Sequence, residues 1–484
     1  MSARLRNSVA ISGLACVMSL LVPVLAYAHG RLKTSAPAAG AHLAAVPHEI
    51  RLDFSEVPEL MFTTVQLVDP KGMAVALSPV AYASDSKRSV VAAVRGGLPA
   101  GDYTVVWQMG SDDGHVVRGK YEFVIAPGAV GVGPAGPVSD TTSPGHAAAM
   151  GASQHQNPVT IPTGNGFGAE SIPYVLIRWG MFIGTLIVIG AVAFRQLVLR
   201  FIRRKVPADA PILDDAARRA ARLGHRAAVA LLVVMLLRLG AQSLSMHGAA
   251  EALEPGLVLG IVARTLWGHG WIAQLIGVAI GIIGFGAARS IADHNAKRSR
   301  GWTTATGAAI VLAFTPAFGG HAAAAPRLLV PTILADGLHV FGAGGWLGSL
   351  LMVLLAGIPA ALALPAEQRG PMVAELVNAF SPTALMFAGL VGATGVFAAW
   401  IHLGSIPALW QSQYGQRLLV KLALLSVVAL TGAYNWLRVK PTLGQIEGAT
   451  RIRRSARVEL AVGVLVLLIT AVLVATPTAM DMQM

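Results

Sequence analysis

Apolar and polar positions follow two different rhythms along this chain. Between residues 29 and 126 they alternate in short runs: Glu49-Ile-Arg-Leu-Asp-Phe54, Thr64–Leu67, Ser89–Val94, Tyr103–Met109 and Tyr121–Ile125. A period of two is that of a strand with one buried face. Turn-forming groups separate the runs, among them Asp69-Pro70-Lys71-Gly72, Gly96-Gly97, Ala100-Gly101-Asp102 and Asp112-Asp113-Gly114. The pattern predicts a small all-β domain, a sandwich or barrel. Trp107, on an alternating run, is expected in its core.

From residue 171 onward the rhythm is replaced by long apolar stretches. Eight approach the length of about 20 residues that a helix needs to cross a bilayer. They lie near 174–200, 226–246, 269–289, 303–319, 328–356, 381–402, 417–437 and 458–476, the fourth being short. Residues 171–484 are therefore expected to form an α-helical polytopic membrane domain. Between the two parts, residues 127–170 are rich in Gly, Pro, Ala, Ser and Thr without apolar period, as in a flexible linker. At the start, Arg4 and Arg6 precede an apolar run from Val9 to Leu25 that closes on Ala26-Tyr27-Ala28. This predicts a signal peptide over 1–28, whose cleavage makes His29 the first residue of the mature chain.

Composition sharpens the division. The whole chain is 54% hydrophobic and 13% charged with net charge +13, which excludes a disordered chain. A single cysteine, Cys16, excludes a disulfide scaffold. The positive charge is not spread as a nucleic-acid footprint. Residues 29–126 have net charge −1, whereas residues 171–484 have +14. With the β-domain outside, segments 200–226, 289–301, 357–380 and 438–457 face the cytoplasm, and they hold 19 of the 26 Lys and Arg of the membrane part. That is the positive-inside pattern. No nucleic acid is expected as a partner, and the bilayer is.

The candidate chemistry is metal binding. Asp113 and His115 stand two apart in Ser111-Asp112-Asp113-Gly114-His115, so in extended backbone they point the same way. With the amine and imidazole of a mature His29 they make a mixed nitrogen and oxygen set suited to Cu(II); spacing alone also fits a turn aspartate beside a solvated histidine. His42 and His48 read as exposed loop histidines. Inside the apolar stretches stand Arg178, Arg238, Asp336, His339, Lys421 and Glu459; such groups mark function or a paired contact. Asp336 and His339 share one helix face: the carboxylate orients the imidazole for metal, or pairs with Arg178 or Lys421 as structural glue. Lys421 and Glu459 are expected in ion pairs and anchoring. His247, His269, His321 and His402 fall at outer helix ends, and Gly342, Gly344, Gly345 and Gly348 allow close helix packing.

Taken in order, His29, Ser35-Ala-Pro-Ala-Ala-Gly40, Ile50-Arg-Leu-Asp-Phe-Ser-Glu56, Gly101-Asp-Tyr-Thr-Val-Val-Trp107, the Ser111–His115 loop and Gly119 resemble the periplasmic copper-binding family CopC. The resemblance implies a Greek-key β-barrel whose Cu(II) ligands are the residues here numbered His29, Asp113 and His115. A methionine-rich Cu(I) site is not implied, because only Met61 and Met73 are present in the relevant stretch. Arg178-Trp179, Gly320-His321-Ala322, Asp336-x-x-His339 with Trp346-x-Gly348, Tyr414-Gly415 with Leu418-Leu419-x-Lys421, Asn435, and Glu459 with Pro477 resemble the inner-membrane family CopD. Together the two imply a fusion that handles copper at the bacterial inner membrane, most often as uptake, in copper homeostasis or resistance. The β-domain would be periplasmic and would deliver Cu(II) to a path with His321, Asp336, His339 and His402 as candidates. No phosphate-binding Gly-x-x-x-x-Gly-Lys-Ser/Thr run is present, so passage is passive, potential-driven or coupled to reduction. Periplasmic copper carriers or an electron donor are the implied partners. The alternative is a b-type haem membrane protein with axial histidines on facing helices. An oxidative copper enzyme ranks last, because Asp113 would fill the coordination position that oxygen needs, and no enzyme activity is expected.

Overall fold

The computed structural model describes residues 31–110, 116–130, 171–205, 210–290, 295–319, 329–439 and 446–476. The chain divides into two compact units, one within His29–Gly166 and one within Phe167–Met484.

The first unit is a two-sheet β-sandwich. Nine strands are described: β1 Leu32–Ala36, β2 His42–Ala45, β3 Glu49–Phe54, β4 Thr64–Val68, β5 Ala74–Val75, β6 Ala81–Ala83, β7 Ser86–Ala93, β8 Gly101–Gly110 and β9 Val116–Val130. One sheet has the order β1-β3-β7-β6 and the other β2-β9-β8-β4-β5. All pairings are antiparallel except that of β2 with β9. The alternation read in the sequence becomes burial. Ile50, Leu52 and Phe54 of β3 and Val90 of β7 face Tyr103, Val105, Trp107 and Met109 of β8 and Phe123 and Ile125 of β9. Fully burying one such large side chain stabilises by about 1.5–3 kcal/mol. Trp107 packs edge-on against Phe54 at 5.4 Å between ring centroids. Across the ladder it faces Gly119, where a Cβ atom would lie 2.4 Å from the indole ring; no larger residue fits without moving the tryptophan. On the outer face of the other sheet, Arg51 binds both carboxylate oxygens of Asp85 and one of Asp53. Its hydrogen bonds hold the Asp85 carboxyl below the ordinary carboxylate range.

The second unit is a helical bundle: α1 Ile172–Lys205, α2 Pro211–His247, α3 Pro255–Arg264, α4 Leu266–Ala288, α5 Asn295–Phe314, α6 Val330–Ala361, α7 Ala366–Leu403, α8 Gln413–Arg438 and α9 Ile446–Leu473. Among the described residues seven are long and apolar enough to cross a membrane: α1, α2, α4, α6, α7, α8 and the part of α9 from Arg453. The fourth expected span, α5, is a helix but lies outside that set, with Lys297, Arg298 and Arg300 in its first turns. Leu236, Leu237, Ile283, Val396 and Leu430 project from the outside of the bundle, as a lipid-facing surface requires.

Neighbouring helices run antiparallel. On α1 and α2, Tyr174 meets Gln242 and Gly184 meets Leu231. On α4 and α5, Gly277 meets Leu312 and Gly301 meets Ala288. On α8 and α9, Asn435 meets Glu459. Hence the starts of α1, α4, α6 and α8 share one end of the bundle with the ends of α2, α5, α7 and α9. The basic residues Arg200, Arg203, Arg204, Arg218, Arg219 and Arg222 gather at the other end, where Asp214 and Asp215 pair with some of them.

The bundle also contains one unit twice. In both α1 and α6 the helix widens into π turns, at Phe194–Leu199 and Val353–Gly357. These two helices cross at Gly190 and Gly348, where a Cβ on either would fall 2.1 Å from the backbone of the other helix. Helices α2 and α7 each pass into a left-handed glycine, Gly248 with φ 76° and Gly404 with φ 67°. Short helices follow, α3 and Ala408–Gln411. Then Thr265 caps α4 by accepting from the Gly268 amide, and Ser412 caps α8 by accepting from the Gly415 amide. A Cβ on either capped glycine would stand 2.2 Å from a carbonyl of the preceding short helix. Repeats with the same orientation are a common way to build transport proteins.

Candidate metal centre

His29, Asp113 and His115 lie outside the described residues, as do His321, the predicted signal peptide and most of the predicted linker. Their neighbours are described. Arg31 exchanges backbone bonds with Ser55, its amide donating to the Ser55 hydroxyl at 2.9 Å and its carbonyl accepting from the Ser55 amide at 2.9 Å. The next residues pair along β3 with Leu32 opposite Phe54. Phe54 reaches Trp107 on β8, and the Glu59 amide donates to the Gly110 carbonyl at 2.9 Å. Gly110 ends β8 directly opposite Val116, which begins β9. The start of β1, the end of β8 and the start of β9 thus belong to the same end of the sandwich. His42 is exposed but lies on β2 rather than in a loop, and His48 is exposed beside β3. β9 continues to Val130, a few residues into the stretch expected as linker.

In the bundle, three of the four candidate path residues are described, and they come together at the end where α1 begins. α6 carries Asp336 and His339, both half-buried. His339 is oriented from α7. Its Nδ1 lies 2.9 Å from the Thr394 hydroxyl, which donates its own hydrogen to the Leu390 carbonyl at 2.7 Å. In the tautomer that carries its hydrogen on Nδ1, Thr394 accepts from the ring, which also hydrogen-bonds the Val391 backbone of α7. That tautomer leaves the lone pair on Nε2. A metal-binding imidazole is held in this way by a partner on its other nitrogen. The orienting group is therefore Thr394, not Asp336.

The other members surround this ring. His402, in the last turn of α7, packs edge-on against Tyr414 of α8 with centroids 5.9 Å apart. Tyr414 lies within electrostatic reach of Asp336, and Lys421 of both Asp336 and His339. Of the two cations expected near Asp336, Lys421 is the one that faces it. Arg178 instead donates to the Ala471 carbonyl at 2.9 Å. Among the described residues no three of His, Cys, Asp and Glu form a metal cage. The glycines expected to permit close packing do so: a Cβ on Gly344 would meet Ile189 of α1, and one on Gly345 would meet Phe387 of α7. Glu459 accepts from the Asn435 side chain, so its neighbour is an amide where an ion pair was expected.

Sequence reasoning passed over Thr394, which had no motif to mark it. The bond it makes spans 55 positions and is visible only once α6 and α7 are packed.

A β-sandwich joined to a polytopic helical bundle with an oriented intramembrane histidine defines a class of two-part, membrane-embedded metal-handling proteins. Family models place the chain within it. The CopC domain matches residues 32–126, the Copper resistance protein D-like, N-terminal domain matches 169–329, and Copper resistance protein D matches 374–473. The chain belongs to the CopC family through its N-terminal domain, fused to a CopD membrane domain. It is similar to the Copper transport protein CutJ of Bacillus subtilis, at 25% identity over 95% of this chain and 76% of that one. It is also similar to Copper resistance protein C of Escherichia coli, at 38% identity over 21% of this chain and 83% of that one. Among solved structures it is similar to PcoC, a methionine-rich copper resistance protein from Escherichia coli, with 37% identity, 20% of this chain and 100% of that one covered, and a TM-score of 0.19. The chain is thus a multi-pass membrane protein of the copper resistance and transport family.

Proposed function

We propose that this protein imports copper across the bacterial inner membrane. The exported sandwich binds Cu(II) through the amine and imidazole of His29, the Asp113 carboxylate and the His115 imidazole. It then delivers copper to the end of the bundle where Asp336, His339 and His402 gather, with His321 in the connection ahead of α6. The observation that carries this reading is the contact of His339 Nδ1 with the Thr394 hydroxyl, which holds a half-buried imidazole with its Nε2 side open to a metal.

Orientation supports the same direction. The basic helix ends lie opposite the histidine cluster, and the positive-inside rule puts the basic ends in the cytoplasm. The cluster then faces the periplasm, where the exported domain acquires its metal. Copper held as Cu(II) outside and passed on as Cu(I) takes up one electron, so a reductant is a necessary partner if the oxidation state changes. A tag inserted between residues 131 and 165 tests the orientation. It should be labelled by a membrane-impermeant reagent from the periplasmic side in intact spheroplasts; labelling only after lysis would overturn the direction.

A further inference from the structure

The first of the two repeated units places a different set of side chains where the second holds its histidine cluster. Aligning the crossing glycines Gly190 and Gly348 brings Arg178 onto Asp336 and Met181 onto His339. Aligning Gly248 with Gly404 brings Arg238 onto Thr394. Aligning the capping residues Thr265 and Ser412 brings Trp267 onto Tyr414 and Gln274 onto Lys421. The contacts correspond as well as the positions. Where His339 meets Thr394, the Arg238 Nη1 meets the Met181 sulfur at 3.4 Å.

This first-unit cluster is cationic, and its acceptors are all neutral. Arg178 and Arg238 are each only 8% exposed, and they lie within electrostatic reach of each other. A guanidinium has five N–H donors and no acceptor. Arg238 spends Nη1 on the Gln274 side-chain oxygen at 3.3 Å and on Met181, and lies 5.0 Å over the Trp267 ring. Among the described residues its Nε has no hydrogen-bond partner, and neither has Nε2 of Gln274, which is 1% exposed. Among the described residues no carboxylate stands within salt-bridge distance of Arg238. Tyr174 bonds Arg238 through its hydroxyl oxygen while its hydrogen goes to Gln242, so it adds a neutral acceptor and no negative charge. Two buried donors on touching side chains, beside an uncompensated positive charge, call for one acceptor that is also negative. Tyr174, Met181, Trp267 and Trp271 close the surroundings, all buried, so the ligand is small.

We propose that Arg238 and Gln274, in the added field of Arg178, bind a small inorganic anion of halide size. The site is the charge-reversed counterpart of the histidine cluster and stands independently of the copper reading. Two guanidinium groups at the end where a cation is taken up would repel it, and a bound halide offsets that charge.

Bromide is a suitable probe, because it quenches tryptophan fluorescence at contact and Trp267 lies on the Arg238 guanidinium. The full-length protein in detergent is titrated with sodium bromide against sodium gluconate at constant ionic strength. The expected result is a saturable quenching component that chloride displaces. In Gln274→Leu the bromide concentration for half-saturation should rise at least about tenfold, and in Arg238→Met the saturable component should vanish. Quenching that is linear in bromide and indifferent to chloride would overturn the site, since it means that water alone occupies it. A saturable component unchanged in Gln274→Leu would place the anion elsewhere and overturn it equally. If Arg238→Met does not fold, bromide anomalous scattering from crystals of the unaltered protein decides, with a peak expected between Arg238 and Gln274 and none there if the proposal is wrong.

Discussion

One extra residue ahead of His29 should weaken Cu(II) binding by the mature protein by about a hundredfold or more. The free α-amine titrates near pH 7.7–8.0, well below a lysine, so Cu(II) readily displaces its proton near neutrality. Amine and imidazole of one histidine then close a chelate ring on a single ion. Extension turns that amine into an amide and moves the ring away from the chain end. Loss of an outer partner of a metal ligand already costs about 10–100-fold in affinity, and loss of a ligand costs at least as much. Asp113→Ala and His115→Ala should each weaken binding in the same direction. Because protons compete for imidazole and amine, affinity should also fall as the pH drops through the histidine range near 6.5. The check is competition against a chelator of known Cu(II) affinity, on protein whose N-terminus has been sequenced. Unchanged affinity on extension would remove His29 from the site.

The second large effect is expected in the membrane. His339→Ala should cut copper accumulation about tenfold or more while the amount of protein in the membrane stays constant. The reason is the geometry at α6 and α7. In the tautomer protonated at Nδ1, Thr394 holds the ring and Nε2 is left as the donor atom. Thr394→Val keeps the imidazole but frees its tautomer, so its cost should be the smaller one typical of an orienting partner, about 10-fold. Comparing the two separates ligand from packing: a purely structural histidine would make the alanine variant unstable, not inactive. Normal accumulation with His339→Ala would assign that residue to structure.

The parts of this molecule that the sequence revealed are those in which one segment carries its own signal. β3 was legible to its ends at Glu49 and Phe54, because its alternating residues are all either buried or outward. β1, β2, β5 and β6 were not, being two to five residues long and largely unburied, with little alternation to detect. In the bundle the existence of each long helix was plain, while the ends were not, and the short helices Pro255–Arg264 and Ala408–Gln411 were not foreseen. α2 starts at Pro211, ahead of its apolar stretch, because its first turns are polar and are held by Asp215 with Arg218 and Arg219 on the same helix. α7 starts at Ala366 and runs through Pro371 and Pro382, which would ordinarily signal helix ends.

The candidate site divides in the same way. Asp336 and His339 were legible because a charge in an apolar stretch stands out by itself. What each touches was not legible, because Thr394, Tyr414 and Lys421 come from other helices. The repeated unit escaped for a related reason. Its two copies share glycines, caps and π turns rather than side-chain chemistry, and Arg178, Met181 and Gln274 answer to Asp336, His339 and Lys421.

The most direct test of the whole account is copper uptake into sealed, right-side-out membrane vesicles, with and without the protein. Vesicles containing it should accumulate copper in the lumen faster than vesicles lacking it, and the difference should disappear with His339→Ala. Equal accumulation with and without the protein, at matched copper binding on the outer surface, would contradict it.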